Sequence, residues 1–218
     1  LENAQPPAGF DLHKQRVATM LPIAVAFPVA VALWFATERL LPPLADMETV
    51  LARLIFALKC SSVAILFCFV TGVEAVAHER LRSPAIDPLL GYETRRLRVN
   101  LRYLQNTLEQ LTVFVPGLLG LAYYASDGAA MRRVVAATVV WIAARIAFWI
   151  GYHHSSASRG FGAPGMIVGM GMLLYVCARF GFEIAGWAGA IAILVLFAAV
   201  EAILTWTTRP VGGSRNQG

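Results

Sequence analysis

"RYLQNTLEQLTVFVPGLLGLAYY", residues 102–124, starts with an arginine, an asparagine and a glutamate and ends without a single charge. Its second half reads as the interior of a membrane helix. Arg102, Asn106 and Glu109 are spaced i, i+4, i+7, which places them within about 60° on one face. Charge facing lipid costs several kcal/mol, so that face must meet protein, water or a polar ligand.

The rest of the chain agrees with a membrane setting. Of 218 residues, 58% are hydrophobic and 14% charged, against about a quarter charged in an ordinary soluble domain. Several apolar runs approach the roughly 20 residues that a helix needs to span a bilayer. They are too long for barrel strands of roughly 10 residues and lack strand alternation. The fold class expected is therefore all-α, a polytopic bundle. Six spans are predicted, at about 17–41, 50–76, 98–124, 131–153, 163–182 and 184–207. Polar tails are expected at 1–16 and 208–218, a polar segment at 77–98, and a short turn bracketed by Gly181 and Gly186. The sequence opens on Leu1, which leaves the true N-terminus open, and no cleavable signal pattern is visible.

The net charge of +5 is explained by topology rather than by nucleic acid. With six spans, eleven basic residues (Lys14, Arg16, Arg80, Arg82, Arg95, Arg96, Arg98, Arg102, Arg159, Arg209, Arg215) share one side. Five (Arg39, Arg53, Arg132, Arg133, Arg179) fall on the other. The richer side is expected to be cytoplasmic. Lys59 and Arg145 fall within spans. Cys60, Cys68 and Cys177 all lie in apolar segments without CxxC spacing, so neither zinc nor a disulfide framework is indicated. No metal is expected.

A second polar set lies at the same membrane edge. Arg145, Tyr152 and Arg159 are spaced by seven residues, and Arg98 extends the first stripe by one turn. Arg102, Asn106, Glu109, Tyr152 and Arg159 can therefore meet. Surplus arginine with one carboxylate suits a small anion that also carries an amine. Bland readings cover the other polar features. Lys59 reads as snorkelling or paired, His153 and His154 as headgroup-level residues, and Gly165 and Gly169 as a GxxxG packing face. Glu201 receives no function.

"R-x-x-x-N-x-x-E" at the start of a membrane helix, followed by "A-R-I-A-F-W-I-G-Y-x6-R", resembles the MAPEG family, membrane-associated proteins in eicosanoid and glutathione metabolism. The resemblance covers about residues 50–182. It implies a four-helix core assembled as a homotrimer, with about two additional transmembrane helices here (17–49 with its turn, and 183–207). It also implies a bacterial-type protein of the inner membrane, with the active site toward the cytoplasm and glutathione as co-substrate. By resemblance, Arg102, Asn106 and Glu109 bind glutathione, and Arg98 and Arg145 are expected to join them as glutathione-binding residues. Tyr152 contacts the ligand, Arg159 stabilises its thiolate, and Arg80 and Arg82 are approximate loop contacts.

Two departures stand out. Gln110 replaces a tyrosine that often follows the motif glutamate, and Phe148 replaces one often found three residues after the span-four arginine. The function expected is a glutathione-dependent transferase or peroxidase acting on a lipophilic electrophile. The alternatives are a non-catalytic lipid-binding or partner scaffold of the same fold and, with less support, a small transporter.

Overall fold

The computed structural model describes residues 11–208. It is built of helices, with no strand among the described residues. They are α1 (Leu12–Leu40), α2 (Val50–Ala64), α3 (Thr71–Leu81), α4 (Arg95–Tyr123), α5 (Arg132–His154) and α6 (Ala163–Thr207). By length and apolarity the chain is an integral membrane protein. It divides into two compact units after Leu173.

The helices begin where local chemistry directs them. Asp11, Thr49 and Thr94 each accept a backbone N–H with the side chain at a helix start, satisfying a donor that the helix itself cannot. The Asp11 cap carries α1 through Lys14 and Arg16, so the first helix starts earlier than the hydrophobic pattern indicated. It also runs through Pro22 and Pro28. The second span likewise exceeds expectation. A π-helical segment (Ile65–Val70) joins α2 to α3, and the helix ends only at Leu81. The polar segment thus shortens, because Ala77–Leu81 stay helical and α4 starts at Arg95. Residues 1–10 and 209–218 of the expected tails lie outside the described residues.

The first unit is held by aromatic packing and small-residue contacts. Phe114 of α4 and Trp141 of α5 are fully buried and stacked, with centroids 4.5 Å apart. Tyr103 is buried against Trp149 at 5.0 Å, and its hydroxyl donates to the Cys68 carbonyl at 2.9 Å. The π-helical segment, in which the α-helical bonding pattern is broken, presents that carbonyl. Gly72 leaves room for the ring: a Cβ there would lie 3.0 Å from Tyr103 Cε1. Gly165 packs toward Ala144 and Trp141, and Gly117 of α4 lies against Met172 and Leu173. The glycine face of early α6 therefore serves close helix approach, as expected.

The two ends of this unit close differently. At one end Leu44 N–H donates to the Gly128 carbonyl, and Arg53 donates to the carbonyls of Met47 and Glu48 at 3.1 Å. Arg133 pairs with Glu38 at 3.2 Å. At the other end Arg95 donates to the His153 carbonyl and Thr94 to Glu79. Asn100 Oδ1 accepts from Trp149 Nε1 at 2.9 Å and lies 2.8 Å from His153 Nε2. His153 is thus part of a structural knot. Lys59 is exposed on α2.

In the second unit α6 breaks at Ala185 and Gly186, where Gly186 takes φ 58°. Positive φ favours glycine. Gly181 and Gly189 lie in direct backbone approach, and a Cβ on Gly181 would sit 2.7 Å from the Gly189 carbonyl oxygen. Eight residues of straight helix would separate them by about 12 Å. The chain therefore folds back at 185–186.

Candidate functional site

One face of α4 carries two side-chain relays. On the outer side Arg102 Nη1 donates to Gln105 Oε1 at 3.4 Å, and Gln105 Nε2 donates to Glu109 Oε1 at 3.2 Å. The glutamine bridges the opposite charges, which lie about two helical turns apart. On the inner side Arg145 of α5 donates to Asn106 Oδ1 and to Thr107 Oγ1, each at 2.9 Å. Gln110 Nε2 donates to the same Asn106 oxygen at 3.4 Å.

Arg145 is fully buried, with no carboxylate partner among the described residues. A charge at membrane depth costs about 3 kcal/mol even on lenient scales. Two charge-assisted hydrogen bonds offset this, as do two aromatic faces. Its guanidinium carbon lies 4.4 Å from the Phe148 centroid and 5.2 Å from that of Tyr103. Each such contact contributes about 0.5–2 kcal/mol. Phe148, where the resemblance implied a tyrosine, thus forms one of the two ring faces on this cation.

The relay also fixes polarity. Arginine can only donate, so the Asn106 atom facing Arg145 is its oxygen. The Asn106 amide nitrogen is left as the group available to a ligand. Gln110 must then donate to that same oxygen. Its Oε1 is buried without a hydrogen-bond partner among the described residues.

Around this face lies a pocket of about 540 Å³, within the size range of small-molecule sites. Arg102, Gln105, Asn106, Glu109 and Gln110 of α4 line one wall, and Phe148 and Tyr152 of α5 another. A 3-10 turn (Ser158–Gly162) brings Arg159, and Thr19 of α1 completes the lining. Tyr152 packs at 5.6 Å from Phe148. The Arg159 guanidinium and the Tyr152 hydroxyl have no polar partner among the described residues.

Five residues singled out in the sequence therefore share one pocket: Arg102, Asn106, Glu109, Tyr152 and Arg159. Four others do not line it. Arg98 pairs with Glu93 at 3.5 Å, because the chain before α4 brings that carboxylate back to it. Arg145 sits behind Asn106, since its partners Asn106 and Thr107 are on the inward side of α4. Arg80 and Arg82 stay at the end of α3, away from the lining. Sequence reasoning missed Gln105 and Thr19. Gln105 sits between the two charges in the quoted stretch and was legible there. Thr19 belongs to another helix and carried no signal.

An apolar cleft adjoins this site between α1 and α5. One part, of about 260 Å³, is lined by Val25, Ala26, Val29, Ala30, Ala144 and Ala147 among others. Phe161 and Pro164 also line it, while their neighbours Gly162 and Ala163 line the polar pocket. The cleft continues past Ala30, Val140 and Pro164 toward Trp34.

A family model described as "MAPEG family" matches residues 54–182. The chain belongs to the MAPEG family. The match covers more than half of the 218 residues and contains all five pocket residues named above. It leaves out α1 and the end of α6. No curated protein and no solved structure matches the chain.

Proposed function

We propose that this MAPEG protein is a glutathione-dependent membrane transferase or peroxidase that activates the glutathione thiolate against a lipophilic electrophile. The observation that carries this reading is the convergence of Arg102, Asn106, Glu109, Tyr152 and Arg159 on one pocket. Its donors are two guanidinium groups, the Asn106 amide and the tyrosine hydroxyl; its charged acceptor is Glu109. Glutathione presents the complement, with two carboxylates, one ammonium and a sulfur that becomes anionic.

The chemistry follows from charge. The thiolate is the nucleophile, and a free thiol with pKa near 8.5 is only a few per cent ionised at pH 7. A guanidinium beside the sulfur favours the charged form, and arginine stays protonated at any physiological pH. Arg159, with its unpaired guanidinium, is assigned that role. Arg102 engages a carboxylate and Glu109 the ammonium. The thiol proton leaves to water. Sulfur then either displaces a leaving group such as halide from an electrophilic carbon, giving a thioether, or attacks a peroxide oxygen as the O–O bond breaks. In the second case the alkoxide takes a proton and leaves as alcohol, and the sulfenic acid condenses with a second glutathione to give the disulfide and water. The hydrocarbon part of the co-substrate enters along the cleft between α1 and α5. The proposed assembly is a homotrimer in a bacterial inner membrane, with the pocket toward the cytoplasm.

The test is glutathione binding by the purified protein, with conjugation and peroxide reduction assayed on hydrophobic substrates and Arg159→Ala as the control. No glutathione affinity and no turnover with any such substrate would sink the reading. The absence of hydroxyl groups at Gln110 and Phe148 favours a second reading, a non-catalytic scaffold of the same fold. Glutathione binding without turnover, and turnover gained in a Gln110→Tyr/Phe148→Tyr variant, would support it.

A further inference from the structure

Arg159 has no side-chain partner among the described residues to hold it, so its position is set by the turn that carries it. That turn is gripped on three sides. Gly151 of α5 lies in direct contact with the Ser158 backbone, and a Cβ on Gly162 would fall 2.6 Å from Phe148 Cβ. Ser155 and Ser158 pair through their hydroxyls at 2.7 Å. The third side is α1. A Cβ on Gly160 would lie 2.7 Å from the Thr19 carbonyl oxygen, 3.1 Å from Ile23 Cγ1 and 3.2 Å from Pro22 Cβ. Pro22 is the one buried residue among the described side chains of α1. The helix axis can come this close only because residue 160 has no side chain.

Arg159 therefore sits between a residue packed on α5 and a residue packed on α1. The α1 residue at this contact, Thr19, also lines the pocket. Its hydroxyl donates to the Gln15 carbonyl at 2.9 Å, which leaves the oxygen lone pairs for a ligand donor. Yet α1 lies outside residues 54–182, the part of the chain that the family model describes.

We propose that α1 is a working part of the site: the seam between Gly160 and Thr19–Ile23 positions Arg159 over the bound sulfur. Gly160 and Ile23 are positioning residues. This inference rests on the glutathione reading given above. Displacing the turn from α1 moves the guanidinium relative to the sulfur, while the α4 relay that grips the rest of the tripeptide is untouched. The consequence is a change in thiolate formation with little change in affinity.

The experiment uses the full chain in detergent or nanodiscs. Ultraviolet thiolate absorbance is titrated against pH with glutathione bound, and the glutathione Kd is measured by calorimetry. For Gly160→Ala the bound thiol pKa is expected to rise by about one unit, which is tenfold less thiolate at a given pH. Measured at a pH below the bound thiol pKa, where glutathione binds as the thiol, the Kd should stay within about threefold, a difference of under 1 kcal/mol. Gly171→Ala, at a glycine with open space around it, should change neither. Ile23→Ala loosens the same seam without adding an atom; it should shift the pKa in the same direction by less, and it decides the matter if Gly160→Ala does not fold. An unshifted thiol pKa in the folded seam variants overturns the role of α1 alone. A wild-type chain that binds no glutathione overturns the glutathione reading, and this inference with it.

Discussion

Arg145 donates from Nη1 to Asn106 Oδ1 at 2.9 Å, and that bond decides which way the asparagine faces. Because the oxygen is taken from behind, the pocket receives the amide nitrogen. A buried cation thus sets the polarity of a site that it does not line.

Asn106→Asp separates these roles. The carboxylate still accepts from Arg145, so folding should survive, whereas the pocket loses a donor and gains a negative charge. Glutathione Kd should rise about tenfold or more, at least 1.4 kcal/mol. Calorimetry on the purified variant reads this directly. An affinity within twofold of wild type would show that the amide nitrogen does not face the ligand.

Arg159→Ala should raise the pKa of bound glutathione and lower kcat about a hundredfold, near 2.7 kcal/mol. Arg159→Lys should recover part of the loss, since an ammonium supplies charge without the planar fork. The pH dependence of thiolate absorbance checks both. Equal kcat in wild type and Arg159→Ala would remove Arg159 from the mechanism.

The cleft between α1 and α5 is lined by small residues, among them Ala30. Ala30→Phe narrows it far from the polar pocket. The kcat/KM for electrophiles carrying long alkyl chains should fall about tenfold, 1.4 kcal/mol, while a short-chain electrophile keeps its value. An equal effect on both would exclude the cleft as the route for the hydrocarbon.

Gly128 lies in direct backbone contact with Leu44 at the opposite end of the unit. Gly128→Ala should cost about 1–3 kcal/mol of stability by overpacking, seen as earlier thermal unfolding in detergent. The KM for glutathione should not change. A large KM effect would mean that the two ends are coupled.

Asp127, in the loop before α5, is held below the ordinary carboxylate range, first by the Ala130 backbone N–H and then by the Ser126 hydroxyl. A folded-state pKa below the unfolded value of about 3.9 contributes stability above that pH. The contribution is lost as pH falls through the lower folded value. Asp127→Asn should flatten this acid-side dependence, as measured by unfolding between about pH 2 and 5.

The quoted stretch in α4 determined much by itself. Helical periodicity puts Arg102, Asn106 and Glu109 on one face whatever surrounds them, and hydrophobic run length marks the chain as an all-helical membrane protein. Helix ends were less legible, because the Asp11 cap and the π-helical segment around Cys68 are local backbone effects that hydropathy does not register. The partners across helices were also hidden. That Arg98 turns to Glu93, that Arg145 stands behind Asn106, and that Phe148 is a ring face for Arg145 all depend on which faces of α4 and α5 meet. Thr19 enters the pocket because a glycine lets α1 approach the turn carrying Arg159, about 140 residues away in sequence. Sequence periodicity sets which residues share a helix face; only packing decides what that face meets.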